Sequence, residues 1–196
     1  MTAMVKYEHA KMLAKKPLFN FLGRKFWIYG PDGSTQFFVQ RKAFKLKEDI
    51  KVYGDESKSE ELLAIKARQI LDFGATYDVT DQQSGDKVGA LRRKGLKSII
   101  RDEWLVLDTN DQEIGLVQED SGFLAMVRRF VPGGVWIPQT YNMKINDKPV
   151  GKIKQHFNPF VLKYDVDFSQ DTDGLLDRRL GIASVVMMLA VEGRQQ

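Results

Sequence analysis

Apolar and polar residues alternate along most of this chain, in short runs that end at turn-forming residues. The stretch "KFWIYGPDGSTQFFVQRK" is apolar on both sides of a Gly-Pro-Asp-Gly tip, and "DIKVYGDESKSEELLAIKARQI" repeats this plan with a longer, charged tip. A period of two is typical of strands that bury one face, and the turn residues between the runs predict hairpins. A helix that begins near Glu60 and Glu61 is the alternative interpretation of the second stretch.

Three later segments share one pattern: an aromatic residue, alternation, a polar turn, and an apolar residue followed by glycine. They begin at Tyr77, Trp104 and Tyr141. Their closing pairs are Val88-Gly89, Ile114-Gly115 and Val150-Gly151. Because the loops differ in length, we interpret the pattern as a repeat of supersecondary structure without a strict sequence period. Glycine on each return strand indicates a bulge, a bend or the close approach of another backbone.

These hairpins predict a closed antiparallel sheet. With "GFLAMVRRFV" and "GGVWIPQ" as connecting strands and "PFVLKYDVDF" as the last strand, we expect about 12 strands, and so many should curl into a barrel. Residues 1–20 are rich in lysine and contain Pro17, and we expect an N-terminal arm or short helix there. Residues 21–196 are then one mainly β domain.

The C-terminal segment is the exception to the strand pattern. It predicts a helix over about 174–192, with Asp173 as its cap and Gly193 at its end. A helix that is apolar all round must be surrounded, and here only the sheet can surround it. The residues expected in this central helix are Leu180, Gly181, Ser184, Val185, Met188 and Leu189. We expect Gly181 and Ser184 to face the backbone of the sheet.

A membrane anchor is the alternative interpretation of the same segment. Its apolar run, Leu180 to Val191, has 12 residues, whereas a membrane-spanning helix needs about 20. Charged residues at Asp177, Arg178 and Arg179 come directly before the run, which also favours the buried helix over a transmembrane span.

Composition narrows the class of protein. A chain of 196 residues suits one domain, and the absence of cysteine excludes disulfides, thiol catalysis and thiolate metal sites. That absence fits a reducing compartment, and the N-terminus has no secretion-signal pattern, so we expect a cytoplasmic protein. A net charge of +4 and a pI of about 9.1 permit attraction to anionic lipid or nucleic acid. No RNA-recognition or helix-turn-helix pattern accompanies that charge, which makes nucleic acid an unfavoured partner.

The hairpins that carry "VGALRRK", "IGLVQED" and "VGKIKQ", with the tail "YDVDFSQDTDGLLDRRLGIASVVMMLAVEG", resemble the tubby C-terminal superfold. Within that superfold the likeness is to the phospholipid scramblase and LURP-one-related families, and it covers roughly Phe21 to Glu192. The resemblance implies a closed barrel threaded by a hydrophobic C-terminal helix. The cysteine-rich palmitoylation stretch and proline-rich N-terminal region of scramblases are missing from this chain, so the likeness supports the fold more than the function.

Anion binding is the function that the resemblance and the basic residues together favour. Longer tubby proteins bind phosphoinositides through basic residues on the barrel, although their positions cannot be matched here residue by residue. Arginine and lysine are the groups that phosphate-bearing ligands need. The candidate lipid- or anion-binding residues are Arg92, Arg93, Lys94, Lys97, Arg41, Lys42, Arg128 and Arg129, and the run Arg92-Arg93-Lys94 is the first choice among them.

The acidic segment before the helix offers candidate calcium ligands. They are Asp165, Asp167, Asp171 and Asp173, and carboxylate oxygens of this kind suit Ca²⁺. In scramblases a segment at this place has been proposed to bind calcium. The spacing does not match an EF-hand, however, and acids are also favoured at strand ends and near helix N-termini. Apart from this optional Ca²⁺, we expect no cofactor.

Signals of catalysis are weak. The two histidines, His9 and His156, are far apart, and the sequence has neither G-x-S-x-G nor a P-loop. Ser84 to Lys87 matches S-x-x-K, but the match lies on a predicted hairpin tip, whereas that motif needs a helix to place lysine beside serine. We therefore expect a non-enzymatic binding module that contacts anionic phospholipid headgroups peripherally. A protein-interaction domain without lipid binding and an unrecognised hydrolase are the alternatives.

Overall fold

The strands and the helix account for most of the chain that the structure describes. It is a computed structural model that describes residues 6–17, 25–41, 49–69, 74–94, 103–120, 138–158 and 160–192. Its strands are β1 Lys11–Pro17, β2 Lys25–Tyr29, β3 Thr35–Arg41, β4 Asp49–Tyr53, β5 Glu61–Ala67, β6 Thr76–Asp81, β7 Lys87–Arg93, β8 Glu103–Leu107, β9 Glu113–Glu119, β10 Thr140–Ile145, β11 Lys148–His156 and β12 Val161–Asp167. Its helix, α1, spans Arg178–Glu192.

Each strand pairs antiparallel with its neighbour in the chain, and β1 pairs with β12, so that the sheet closes into a barrel. The predicted closed antiparallel barrel is therefore confirmed. The segment near Glu61 is strand β5, so the alternative interpretation as a helix is wrong. The two connecting strands expected within 122–139 lie almost wholly outside the described residues.

The N-terminal segment is the main correction to the predicted strands. We expected an arm or short helix over residues 1–20, but Lys11–Pro17 is a full barrel strand that pairs with both β12 and β2. Met12 and Ala14 point into the core from this strand, and Lys16 points the same way. The buried lysine hides the alternation in the sequence, which is why the strand was not recognised.

A β-bulge occurs in each of five consecutive hairpins. In each pair the return strand holds one extra residue: Gln36, Leu62, Val88, Ile114 and Val150. The first four extra residues are spaced 26 positions apart. These four hairpins therefore share a spacing of 26 residues, whereas Val150 follows Ile114 by 36 residues, so the three hairpins singled out in the sequence have no strict period, as predicted. A bulge turns two successive side chains toward the same face, so each hairpin adds one more inward position.

The glycine after three of these bulges has a steric cause. A Cβ atom on Gly89 would lie 2.3 Å from the backbone oxygen of Leu107, and one on Gly115 would lie 2.3 Å from that of Lys144. On Gly151 it would meet the Phe168 ring at 2.7 Å. The predicted bulge is confirmed at all three positions, and the predicted close approach of another backbone is confirmed at Gly89 and Gly115, whereas at Gly151 a side chain is nearest. The crowding explains the apolar-then-glycine pattern, because the glycine after the bulge has no room for a side chain.

Helix α1 lies inside the barrel. From Leu180 to Ala190 every residue is buried, and Ser184, the one polar side chain among them, donates to the Leu180 carbonyl at 2.9 Å. The predicted helix residues are all buried: Leu180, Gly181, Ser184, Val185, Met188 and Leu189. This placement of the apolar run leaves its side chains within the core that the strands enclose.

The helix begins later than the sequence predicts. Asp177, not Asp173, is its cap: its carboxylate accepts the Arg179 backbone N–H at 2.9 Å, and its carbonyl accepts that of Gly181. Asp171 instead receives the backbone N–H groups of Leu175 and Leu176, which holds the preceding loop in non-helical turns. The predicted end at Gly193 lies outside the described residues.

Two cations satisfy the carbonyl groups near the end of α1. Lys16 donates to the Leu189 carbonyl at 2.7 Å, and Arg41 donates to that of Ala190 at 3.3 Å. Carbonyls in the last turn of a helix have no partner within the helix, and positive charge is favourable there. At the opposite end, Arg179 bonds Asp81 at the tip of β6 at 2.8 Å. The C-terminal end of α1 therefore lies at the barrel end that holds Lys16 and Arg41, and its N-terminal end lies at the opposite barrel end, near the tip of β6.

Replacing Gly181 by leucine is expected to lower the free energy of unfolding by about 1–3 kcal/mol, because the site is already full. A Cβ atom there would lie 3.0 Å from Phe168 and 3.1 Å from Leu176. The neighbours are side chains, so the expectation that Gly181 faces sheet backbone is wrong. Alanine is the control, since its gain in helix propensity, about 1 kcal/mol, offsets the tight contact. Urea denaturation of both variants checks this, and a leucine variant as stable as wild type would contradict the packing.

Candidate functional site

The basic residues chosen from the sequence are divided between the two faces of the barrel wall. On β7, Leu91 points into the core, so Arg93 points inward as well, while Arg92 points outward. Lys94 lies 3.6 Å from the carboxylate of Glu103. Arg41 is engaged with the end of α1. The linear run Arg92-Arg93-Lys94 therefore does not present three cations on one surface.

The remaining candidates from that set are Lys42, Lys97, Arg128 and Arg129, and all four lie outside the described residues. Anion binding by these residues, or by Arg92, stays a prediction.

A different set of cations comes together on the outer face of β11, β12 and β1. We call it the lysine wall, and it consists of Lys11, Lys15, Lys152, Lys154 and Lys163. Residues 11–15 and 152–163 are remote in sequence and become neighbours only because β1 closes the barrel against β12. Lys15 is directly opposite Lys163, which in turn is opposite His156 on β11.

Side chains alternate between the core and the outer surface along these strands, and this alternation places the lysines of the wall on the outer surface. Ile153 and Tyr164 are fully buried in the core, and the lysines at alternate positions point outward. Lys11, Lys152 and Lys154 are exposed, while Lys15 and Lys163 are half-buried. Five cations on one wall share it with two acids, Asp165 and Asp167, so the wall has an excess of positive charge.

Most of these lysines have no direct ion pair within the described residues, although Lys152 and Lys154 are opposite Asp167 and Asp165 in register. Among the described residues, Lys152, Lys154 and Lys163 have no hydrogen-bond or ion-pair partner. Lys11 is 3.9 Å from Asp167, and Lys15 lies over the Tyr29 ring at 4.9 Å from its centre. Ammonium groups without partners are free to contact a phosphate from outside.

A second group of basic residues on the barrel, Arg68 and Lys87, differs from the lysine wall because its charges are paired with carboxylates. Arg68 bonds both Asp78 and Asp111, and Lys87 bonds Asp111 at 2.7 Å. The hydrogen bonds that Arg68 and Lys87 donate lower the pKa of the Asp111 carboxyl to about 2. Their charge is balanced by these aspartates at neutral pH, so this group is a poor site for an anion. Lys87 also belongs to the S-x-x-K match, whose serine lies in the turn between β6 and β7.

The lysine wall ends at an apolar turn between β11 and β12. Phe157 is 58% exposed and Phe160 is 65% exposed, and they are the exposed large hydrophobic residues among those described. The Asn158 side chain accepts the backbone N–H groups of Phe160 and Val161 at 2.9 and 3.0 Å, which constrains the end of the turn. We call Phe157 and Phe160 the phenylalanine tip. Beside it, His156 and Asp165 are joined at 2.6 Å.

The candidate calcium ligands are used in four different ways. Asp165 pairs with His156, and Asp167 accepts the backbone N–H and hydroxyl of Ser169. Asp171 is buried among backbone donors, and Asp173 receives Lys148 at 2.8 Å. Within the described parts of the chain, no three His, Asp or Glu side chains converge on a common point that could hold a metal ion. Calcium binding therefore stays a prediction.

A groove of about 620 Å³ lies on the outer face of β9 and β10. Its lining includes the carboxylates of Glu113, Asp120 and Asp147 and one cation, Lys144. The Asn142 amide donates to Asp120 at 2.8 Å. The excess of carboxylates repels anions, so this groove is not a headgroup site although it is a large concavity.

Sequence reasoning missed the lysine wall because its members do not cluster in the chain. A signal was nevertheless present: in "VGKIKQH" and "VLKYDV" lysine occupies the polar positions of an alternating strand. Placing those positions beside Lys11 and Lys15 required the β1–β12 pairing, which the sequence did not predict.

Comparison with known proteins gives one match. The model of a family described as LURP-one-related matches residues 35–189, which is about four fifths of the chain and leaves out β1 and β2. This family is part of the tubby-like superfamily, in agreement with the resemblance noted in the sequence. No curated protein and no solved structure matches the chain. In the part of the chain that the structure describes, no helix has the length and apolar character to span a membrane.

Proposed function

Since the chain belongs to the LURP-one-related family, we propose that it is a non-enzymatic binding module for anionic phospholipid headgroups at a membrane surface. Family membership suggests a binding domain rather than an enzyme. Helix α1 fills the barrel interior, so a sizeable ligand has to bind outside. The observation that supports the lipid is the lysine wall, where lysines without partners point outward from neighbouring strands.

The number of cations makes the proposal quantitative. A lysine near an anionic surface contributes about 1 kcal/mol to binding, and its effect falls off within a Debye length of about 8 Å. Three unpaired lysines on adjoining strands can therefore supply about 3 kcal/mol, with a smaller contribution from Lys11 and Lys15. The negative surface potential of the cytoplasmic leaflet places the protein on that side of the membrane in this proposal.

Replacing Lys152, Lys154 and Lys163 by alanine is expected to weaken binding to anionic vesicles about a hundredfold. Co-sedimentation with vesicles measures this, comparing pure phosphatidylcholine with a mixture containing about one third phosphatidylserine or a small share of phosphoinositide. Wild-type protein should sediment with the anionic vesicles at low salt and lose most of that binding near 0.5 M salt, where the Debye length is only about 4 Å.

Thermal unfolding of the triple variant serves as its control, because three exposed or half-buried lysines without partners contribute little to stability. Parallel samples with Ca²⁺ test whether Asp165 and Asp167, which lie on the same wall, bind the ion and strengthen the attraction. Wild-type protein that stays in the supernatant under every condition would contradict the lipid proposal and favour a protein partner instead.

A further inference from the structure

We propose that the phenylalanine tip enters the interfacial region of the bilayer, so that the β11–β12 turn is the part of the protein nearest to the membrane. The inference rests on the proposed function and adds to it an orientation and a second, apolar contribution to binding. It starts from Phe157 and Phe160, two large apolar side chains more than half exposed on one turn.

Single exposed apolar residues are ordinary on protein surfaces, but two rings on one turn form a local apolar projection. The Asn158 side chain accepts the backbone N–H groups of Phe160 and Val161, so it ties the end of this turn to the start of β12. A turn constrained in this way loses less conformational entropy when it enters a membrane.

The positive charge next to the phenylalanine tip favours an anionic membrane as its partner. His156 immediately precedes Phe157 and is paired in register with Lys163, and Lys163 is paired with Lys15. A bare apolar contact between proteins does not call for a row of unpaired lysines beside it, whereas stable attachment to a membrane takes two signals, such as an apolar insertion and a basic patch. The combination fits an anionic bilayer.

Distances along the strands agree with this arrangement. Lys154 is three residues from Phe157, which is about 10 Å along a strand and about 8 Å in height when the strand is tilted as in a typical barrel. The headgroup region of one leaflet is about 5–7 Å thick. With the rings at the hydrocarbon boundary, Lys163 lies at the level of the headgroups, and Lys154 lies within about 3 Å of their outer edge, well inside a Debye length of about 8 Å.

The experiment uses the absence of cysteine from the chain, since one introduced cysteine can be labelled without removing others. A polarity-sensitive fluorophore is attached at Phe157→Cys, and a matched label is attached at Gln82→Cys, an exposed site on the β6–β7 turn at the other end of the barrel. With phosphatidylcholine vesicles containing about one third phosphatidylserine, the label at 157 should shift to shorter wavelength and be quenched by nitroxide lipids. The label at 82 should do neither.

A second variant separates the apolar from the electrostatic contribution. Phe157→Ser/Phe160→Ser should weaken vesicle binding about tenfold or more at every salt concentration, because salt does not screen the apolar contribution to the binding free energy. Replacing the three wall lysines by alanine should instead weaken binding at low salt and make the remaining binding nearly independent of salt. A salt dependence that the serine variant keeps and the lysine variant loses would support insertion.

Three results would overturn the inference. If wild-type protein sediments with vesicles but both labels stay in water, the tip does not insert, and the proposed lipid binding stands. If wild-type protein does not sediment at all, the proposed function and the insertion both fail. If the protein is dimeric without vesicles and the double serine variant is monomeric, the tip is a contact between two copies of this chain.

Discussion

Replacing Gly115 by alanine is expected to lower the free energy of unfolding by more than about 3 kcal/mol, an unusually large effect for one added methyl group. The added Cβ atom would lie 2.3 Å from the Lys144 backbone oxygen and 2.5 Å from the Ile145 side chain. A flexible side chain could move away, but a carbonyl oxygen belongs to the β9–β10 ladder, so strand β10 itself would have to shift. Urea denaturation followed by circular dichroism measures the loss.

Gly74→Ala is the matched control, because it makes the same chemical change where no atom of the described residues lies within 4 Å of the new Cβ. We expect that variant to unfold within about 0.5 kcal/mol of wild type. If Gly115→Ala were equally mild, strands β9 and β10 could not approach as closely as the bulged hairpin requires.

Replacing Val185 by aspartate is expected to prevent folding or to lower the free energy of unfolding by more than about 4 kcal/mol. Val185 is fully buried in the middle of α1, where an aspartate would have neither water nor a cation as partner. The same substitution on a helix that lay outside the barrel would be tolerated, so the experiment distinguishes an enclosed helix from an external anchor. Soluble yield and thermal unfolding are the measurements.

Val161→Asp is the control for charge and size. Val161 is half-buried on β12, at the barrel end where α1 finishes, and aspartate there can reach water. Val161→Asp should change the free energy of unfolding by no more than about 1 kcal/mol. A Val185→Asp variant that folds as well as Val161→Asp would show that α1 is not enclosed.

The sheet was predictable because its signals are local. Alternation identifies a strand within five to seven residues, turn residues identify its hairpin partner, and an apolar helix implies a surrounding sheet. The apolar-glycine pairs at Val88, Ile114 and Val150 also marked real bulges.

Strand β1 was not predictable for the opposite reason. Its inward positions are Met12, Ala14 and Lys16, and a lysine at a core position breaks the apolar alternation. That lysine is buried because it bonds the Leu189 carbonyl, 173 residues later in the chain. The residues close to Lys16 in the sequence do not indicate that the Leu189 carbonyl is its partner.

The candidate site depended on the same long-range pairing. Consecutive basic residues such as Arg92 and Arg93 attract notice in a sequence, but on a strand they point to opposite faces. Lys154 and Lys163 are nine positions apart and share a surface with Lys15. Electrostatic surfaces on a barrel follow the register between strands, so a linear cluster of charge is a weak guide to them.

A comparison of two double variants that each remove two positive charges tests whether β11, β12 and β1 form the binding face. Lys154→Ala/Lys163→Ala removes them from the lysine wall, and Arg92→Ala/Lys94→Ala removes them from the linear basic run. Affinity for phosphatidylserine-containing vesicles is measured at low salt for both variants and for wild type. If the lysine wall is the binding face, the wall variant binds about thirtyfold more weakly than wild type, and the Arg92/Lys94 variant changes by less than about threefold. Equal losses in both variants, or a larger loss in the Arg92/Lys94 variant, would contradict a binding face formed by β11, β12 and β1.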